Sequence, residues 1–99
     1  MKQKTATRDQ MIALINAKYP KLLTRTTEEF DGAKGGIWSS GESGIAAKDD
    51  FSLFDYYSQD YRQTRYVLGV HKEIATLLAN NGWYAEWYDA GTIMFWLIT

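Results

Sequence analysis

The sequence contains no cysteine, one proline and one histidine among its 99 residues. Without cysteine, the chain can form no disulfide, thiolate zinc site or thiol nucleophile, and it fits a reducing compartment. It also lacks the run of about eighteen apolar residues that a membrane-spanning helix needs. The first twenty residues hold no long apolar stretch of the kind found in signal peptides. With Met1 at the start, these features predict an unprocessed, cytoplasmic protein that does not enter a membrane.

Familiar catalytic and phosphate-binding motifs are missing as well. In the glycine-rich stretch 31–44, Lys34 precedes its glycine pair, whereas the lysine of a P-loop follows the last glycine. The sequence has no G-x-S-x-G elbow for a serine hydrolase and no EF-hand order for calcium. We therefore expect no cofactor and no metal site, and we interpret the glycines as turn residues.

Charge is unevenly distributed although the net charge is only −1. Residues 1–25 carry six Lys and Arg against one Asp, whereas residues 28–60 carry eight Asp and Glu against two Lys. Affinity for phosphate backbones comes from clustered Lys and Arg. A near-neutral chain with an acidic middle is therefore not expected to bind nucleic acid directly.

Hydrophobic residues make up 45% of the chain, enough for one packed domain over residues 1–99. The pattern predicts a helix over Thr7–Tyr19, which starts with a capping box to Gln10 and stops at Pro20. A second helix is predicted over about 71–80. The predicted strands are Lys21–Thr27, a short hairpin within 36–48, 64–70, Trp83–Tyr88 and Thr92–Ile98, and 49–61 is interpreted as a loop. The result is an α+β fold with two helices packed on an antiparallel sheet, in the order α-β-β-β-β-α-β-β, ending in a C-terminal β-hairpin.

The last eighteen residues, "GWYAEWYDAGTIMFWLIT", hold three of the four tryptophans and carry only two charges. If Ala90 and Gly91 form a two-residue turn, Glu86 lies opposite Phe95 and both faces of the hairpin are apolar. The inward face of the hairpin, toward the core, is then formed by Trp83, Trp87, Met94 and Trp96. The outward face is formed by Tyr84, Glu86, Tyr88, Phe95 and Leu97.

An outward row of aromatic residues has two explanations. The loop 49–61 could fold over it, or a partner protein or a second copy of the chain could cover it, because tyrosine is enriched at interface centres. The acidic residues of that loop also have several explanations. They could be ordinary loop and cap residues, they could dock on an arginine-rich groove, or they could hold a divalent cation.

His71 is the only histidine, and it offers an enzymatic alternative. A small metal-dependent or His/carboxylate hydrolase would need His71, Glu86 and an Asp of the loop to converge in one pocket. The other alternative is a structural homodimer that pairs the tail sheets of two copies.

The size, the missing cysteine, the acidic tract 28–60 and the aromatic tail resemble those of small accessory proteins of phages and mobile elements, including anti-CRISPR and anti-restriction proteins. The resemblance implies an inhibitor that docks on a host protein, for example a nucleic-acid-binding defence enzyme, in the host cytoplasm. The sequence therefore favours a non-enzymatic binding protein with a protein partner. The candidate binding residues are Asp49, Asp50, Asp55, Tyr56, Tyr57 and Asp60 from the loop, with Tyr84, Glu86, Tyr88 and Phe95 from the sheet.

Overall fold

A computed structural model describes residues 5–58 and 65–98 and confirms the α+β fold. The helices are α1 (Arg8–Lys18), α2 (Thr27–Phe30) and α3 (Lys72–Ala79). The strands are β1 (Arg25–Thr26), β2 (Ile37–Ser40), β3 (Tyr66–Val67), β4 (Val70–His71), β5 (Trp83–Asp89) and β6 (Thr92–Leu97). Their order matches the predicted one except for the short α2. In these two ranges no helix has the length and apolar character that crossing a membrane requires.

Local capping explains where the two longer helices begin. The Thr7 side chain accepts a hydrogen bond from the Gln10 amide at 3.2 Å, and the Gln10 side chain accepts one from the Thr7 amide at 2.9 Å. This is the predicted capping box. At α3, His71 Nδ1 accepts from the Glu73 amide at 3.0 Å and so replaces the usual oxygen cap. Gly82 follows α3 with φ of +80°, where a side chain would be strained.

The main sheet has the antiparallel strand order β1-β2-β6-β5, and β3 pairs with β4 in a separate ribbon. The predicted hairpin within 36–48 is wrong, because β2 pairs with β1 and β6. The predicted strand Lys21–Thr27 is reduced to β1, since the chain turns into α2 at Thr27. Within the predicted strand 64–70, Leu68 and Gly69 form the tight turn of the ribbon.

The C-terminal hairpin forms as predicted, but its register differs by one residue. Ala85 pairs with Phe95 and Glu86 with Met94, and a bulge between Trp87 and Asp89 absorbs the extra residue before the Ala90-Gly91 turn. A shift of one residue moves every side chain of a strand to the other face. Phe95 is consequently fully buried with the core, and the assignment of Phe95 to an outward binding surface is wrong.

The core lies between the inner face of the sheet and helices α1 and α3. It contains Met11, Ile15, Ile37, Ile74, Leu78, Trp83, Ile93 and Phe95. Leu53 and Phe54 from the predicted loop also pack here, with the Phe54 ring centroid 6.0 Å from that of Phe95. That loop therefore joins the inner side of the sheet.

The outer face, which carries Trp38, Tyr84, Glu86, Tyr88, Met94 and Trp96, has a different cover from the predicted one. Phe30 of α2 packs on it, with ring centroids 5.2 Å from Trp38 and 4.9 Å from Tyr88. The ring-to-ring contacts of residues 49–58 are made with other aromatic side chains and not with Tyr84 or Tyr88. The two tyrosines stay 43% and 54% exposed, so the outer face is only partly covered by the chain itself.

The observed register predicts different costs for truncating aromatic residues on the two faces. Phe95→Ala should lower the free energy of unfolding by about 3–5 kcal/mol, because it opens a cavity in the core. Tyr84→Ala, the matched control on the outer face, should cost less than about 1 kcal/mol. Urea unfolding followed by circular dichroism measures both. If Phe95→Ala lowered the free energy of unfolding only slightly, the result would support the register expected from the sequence instead.

Candidate functional site

A cleft of about 600 Å³ lies between the loop after β2, residues 50–57 and the turn of the C-terminal hairpin. We call it the acidic cleft. Its lining residues are Gly41, Glu42, Gly44, Asp50, Phe51, Ser52, Phe54, Asp55, Tyr56, Tyr57, Tyr66 and Ala90. These described residues include three carboxylates and five aromatic rings, and none of them is Lys, Arg or His. Four of the candidate binding residues, Asp50, Asp55, Tyr56 and Tyr57, thus meet in one place.

Two tight turns place the carboxylates of the cleft. Asp50 has φ of +69°, a left-handed conformation that Asp adopts more readily than most residues, and its amide donates to the Ala47 carbonyl at 3.0 Å. The Asp55 amide donates to the Gly69 carbonyl at 2.7 Å, which fixes the segment to the β3–β4 turn. The Asp55 side chain accepts from the Tyr57 amide at 3.2 Å and so sets the direction of the following tyrosines.

The aromatic wall of the cleft is anchored on the sheet. The Tyr56 ring packs edge-on against both Trp87 and Tyr57, with centroid separations of 5.1 Å in each pair. Trp87 is held in turn by a hydrogen bond of 2.8 Å from its Nε1 to the Leu68 carbonyl. Tyr57 at the end of this stack is 76% exposed. The stack therefore presents a polar aromatic side chain to solvent beside the carboxylates.

The cleft retains its negative charge. In the parts of the chain that the structure describes, Glu42, Asp50 and Asp55 form no ion pair. Burial, with help from the nearby Asp55 and Asp49 carboxylates, raises the pKa of Tyr66, whose hydroxyl donates to the Ser52 carbonyl at 2.6 Å. The carboxylates that form no ion pair in the described ranges suit the cleft to a cation.

Asp49 has a different role from its neighbours. His71 Nε2 lies 3.0 Å from both Asp49 carboxylate oxygens, and Arg65 Nε donates to Oδ2 at 3.2 Å. Desolvation opposes ionisation of Asp49, but hydrogen bonds from the Phe51 amide, His71 and Arg65 outweigh it and lower its pKa. Asp49 is thus paired within the molecule, and we assign it to the structure of the loop.

The constellation expected for a hydrolase is not brought together. Asp49 does meet His71, but both ring nitrogens of this 7% exposed histidine are already bonded, Nε2 to Asp49 and Nδ1 to the Glu73 amide. Glu86 lies on the outer face of the sheet, whereas His71 begins α3 on the inner side. In the described ranges no three His, Cys, Asp or Glu side chains are grouped to hold a metal ion.

Tyr84, Glu86 and Tyr88 lie on the outer face, separate from the acidic cleft. Asp60 lies outside the residues that the structure describes. Sequence reasoning missed Glu42, because only the pairing of β2 with β6 brings it near the hairpin turn.

Sequence reasoning also missed Glu73. Its carboxylate accepts from the Tyr19 hydroxyl at 2.7 Å and the Lys48 amide at 3.0 Å, and it joins three segments that are far apart in sequence. Glu73 therefore has a structural role.

Comparisons of the chain with protein-family models, with curated proteins and with solved structures found no match. The functional proposal therefore depends on the geometry and chemistry of the chain's own residues.

The bonding of Asp49 predicts a pH-dependent contribution to stability. Its pKa is lowered in the folded protein, so the carboxylate stabilises the fold above its unfolded pKa, and this contribution is lost as pH falls through the folded value, below about pH 4. Asp49→Asn should therefore be less stable than the unchanged protein at pH 6–7. The difference should shrink between pH 4 and pH 2. Urea unfolding at a series of pH values measures it, and a difference that stays constant would contradict the assignment.

Proposed function

We propose that this chain is a non-enzymatic binding protein whose acidic cleft receives a basic side chain of a protein partner. The observation that carries the proposal is that Glu42, Asp50 and Asp55 line one cleft to which the described residues contribute no basic lining side chain. None of the three carboxylates is engaged in an ion pair in the described ranges, so each is available to a cation of a partner. Exposed tyrosines beside the carboxylates supply the aromatic contact area that is common at interface centres.

Arginine fits the cleft better than lysine. A guanidinium group can bond a carboxylate through two parallel N–H groups and can stack on an aromatic ring at the same time. The chain already uses this arrangement next to the cleft. Arg65 lies over the Phe51 ring with 3.5 Å between Cζ and the centroid, and its Nε donates to Asp49. Asp50, Asp55 and Tyr57 offer the same chemical groups to a partner.

The kind of partner follows from this chemistry and from the resemblance to phage and mobile-element accessory proteins. Enzymes that bind nucleic acid present arginine-rich grooves, which an acidic and aromatic surface can occupy. We propose a host protein of that kind, in the host cytoplasm, and no direct contact with nucleic acid, because the cleft would repel phosphate. Tyr84, Glu86 and Tyr88 on the outer face extend the available docking area.

The cleft can be tested by removing its charge without changing its shape. The triple variant Glu42→Gln, Asp50→Asn and Asp55→Asn keeps the left-handed turn at Asp50 and the acceptor for the Tyr57 amide. Loss of the carboxylates should weaken partner binding by about ten- to hundredfold, or about 1.4–2.8 kcal/mol. Affinity capture from a bacterial lysate with mass spectrometry identifies the partner, and titration calorimetry with that partner then gives the affinities.

The matched control is the triple variant Asp9→Asn, Glu29→Gln and Asp31→Asn, which changes the net charge by the same amount away from the cleft. It should capture the partner as the unchanged protein does. If the cleft variant and the control variant bind equally well, the acidic cleft is not the docking site.

A further inference from the structure

Strand β5 forms one edge of the four-stranded sheet, and on that side it pairs with no other strand within residues 5–58 and 65–98. The Ile98 amide donates to the Gly82 carbonyl at 2.8 Å, so residues 82, 84 and 86 belong to the hydrogen-bonded pairs with β6. Trp83, Ala85 and Trp87 alternate with them and direct their backbone N–H and C=O groups away from β6. Across residues 5–58 and 65–98, no backbone hydrogen bond joins these three residues to another segment.

A groove of about 430 Å³ runs along this free edge. Its walls are the ribbon turn and α3, which contribute Val67, Leu68, Val70, Ala75 and Ala79, and its floor is the edge of β5 with Ile98. Within the described ranges, Glu86 is the only charged lining residue, and it forms no ion pair there. The groove therefore combines an apolar wall, the outward backbone groups of Ala85 and Trp87, and one unpaired carboxylate.

Leu68 at the rim of the groove is unusual in two respects. It has φ of +51°, in the left-handed region that leucine rarely adopts, and its side chain is 80% exposed. The turn Val67-Leu68-Gly69-Val70 places positive φ at both central residues, where Asn followed by Gly is the favoured pair. An apolar side chain at this strained and exposed position contributes little to the fold, whereas it lengthens the apolar wall of the groove.

We propose that this groove binds an extended segment of a partner protein, which adds to β5 as a fifth strand. The outward N–H and C=O groups of Ala85 and Trp87 would pair with its backbone, whereas Trp83 is only 2% exposed and ends the available edge. Alternate side chains of the segment would be apolar and lie against Leu68 and α3, and a Lys or Arg between them would reach Glu86. This second docking site is distinct from the acidic cleft and does not depend on it.

A second copy of the chain fits the groove less well. Pairing two β5 strands along their whole length would set the two Glu86 carboxylates opposite each other, which destabilises a sheet. Each copy would also bring its own α3 and ribbon turn against those of the other. A narrow extended segment with a basic residue meets neither obstacle.

A peptide of simple design can test the inference. The probe is acetyl-Thr-Val-Lys-Val-Thr-Val-amide, which alternates apolar and polar residues. Its binding should slow the hydrogen exchange of the Ala85 and Trp87 amides, while the Tyr84 and Glu86 amides are already protected by β6. A peptide with Glu in place of Lys should bind at least about tenfold more weakly. Two further versions of the Lys peptide carry N-methyl groups on either the odd-numbered or the even-numbered backbone nitrogens. One of the two should fail to bind, because its methyl groups replace the N–H groups that pair with β5.

Leu68→Asn separates docking from folding. Asparagine suits the left-handed turn, so the variant should melt at the same temperature as the unchanged protein or at a higher one. Its affinity for the Lys peptide should nevertheless fall about tenfold or more, because the apolar rim is lost. Leu14→Gln, at an exposed leucine of α1, is the matched control and should bind the peptide normally.

Three results would overturn the inference. The first is that the Lys and Glu peptides leave the exchange of the Ala85 and Trp87 amides unchanged at millimolar concentration. The second is that Leu68→Asn binds the Lys peptide as well as the control does. The third is that the edge amides of the protein alone become protected as its concentration rises while its mass doubles in sedimentation, which would assign the groove to a second copy. Neutralising the acidic cleft should leave peptide binding intact, so failures of the two proposals are distinguishable.

Discussion

The pairing of β5 with β6 is the interaction on which the rest of the molecule depends. It directs Trp83 and Phe95 into the core and leaves Tyr84 and Tyr88 on the outer face. The bulge between Trp87 and Asp89 allows this pairing to end at the Ala90-Gly91 turn. The packing of the core depends on this pairing, because α1, α3 and residues 53–54 all pack on the face that the register makes apolar.

Trp87 connects this core hairpin to both proposed docking surfaces. Its ring supports Tyr56 at the acidic cleft, and its Nε1 holds the Leu68 carbonyl at the rim of the β5 groove. The neighbouring Gly69 is tightly enclosed, since a Cβ there would lie 2.5 Å from the Asp55 carbonyl oxygen. One side chain and one close backbone contact thus connect the two surfaces.

Local signals in the sequence predicted the elements, whereas long-range pairing decided the surfaces. The capping box at Thr7, the stop at Pro20 and the helix after His71 depend on a few neighbouring residues, and the structure confirms them. The register of the hairpin could not be predicted in the same way. The bulge shifts the pairing by one residue, but neither the residue types of the strands nor the sequence of the turn indicates it. The partner of β2 was missed because strand β6 lies more than fifty residues further along the chain.

The candidate site was predictable only as a list of residue types. The acidic and aromatic character of residues 49–57 is evident in the sequence, and the structure gathers four of its residues in the acidic cleft. Asp49 bonds to His71 and Arg65, whereas Asp50 beside it lines the cleft. A tight turn at these residues causes this difference, and the composition of the segment does not reveal it.

Positive φ marks one non-glycine residue at each of the two proposed docking surfaces. In residues 5–58 and 65–98, only two non-glycine residues, Asp50 and Leu68, have positive φ. One lines the acidic cleft and the other the β5 groove. Aspartate adopts this conformation more readily than most residues, whereas for leucine it costs about 1–3 kcal/mol and persists where the surrounding structure imposes it. Glycine at position 68 would remove the strain but also the apolar side chain, so the strain at Leu68 supports the proposed groove more strongly than the turn at Asp50 supports the proposed cleft.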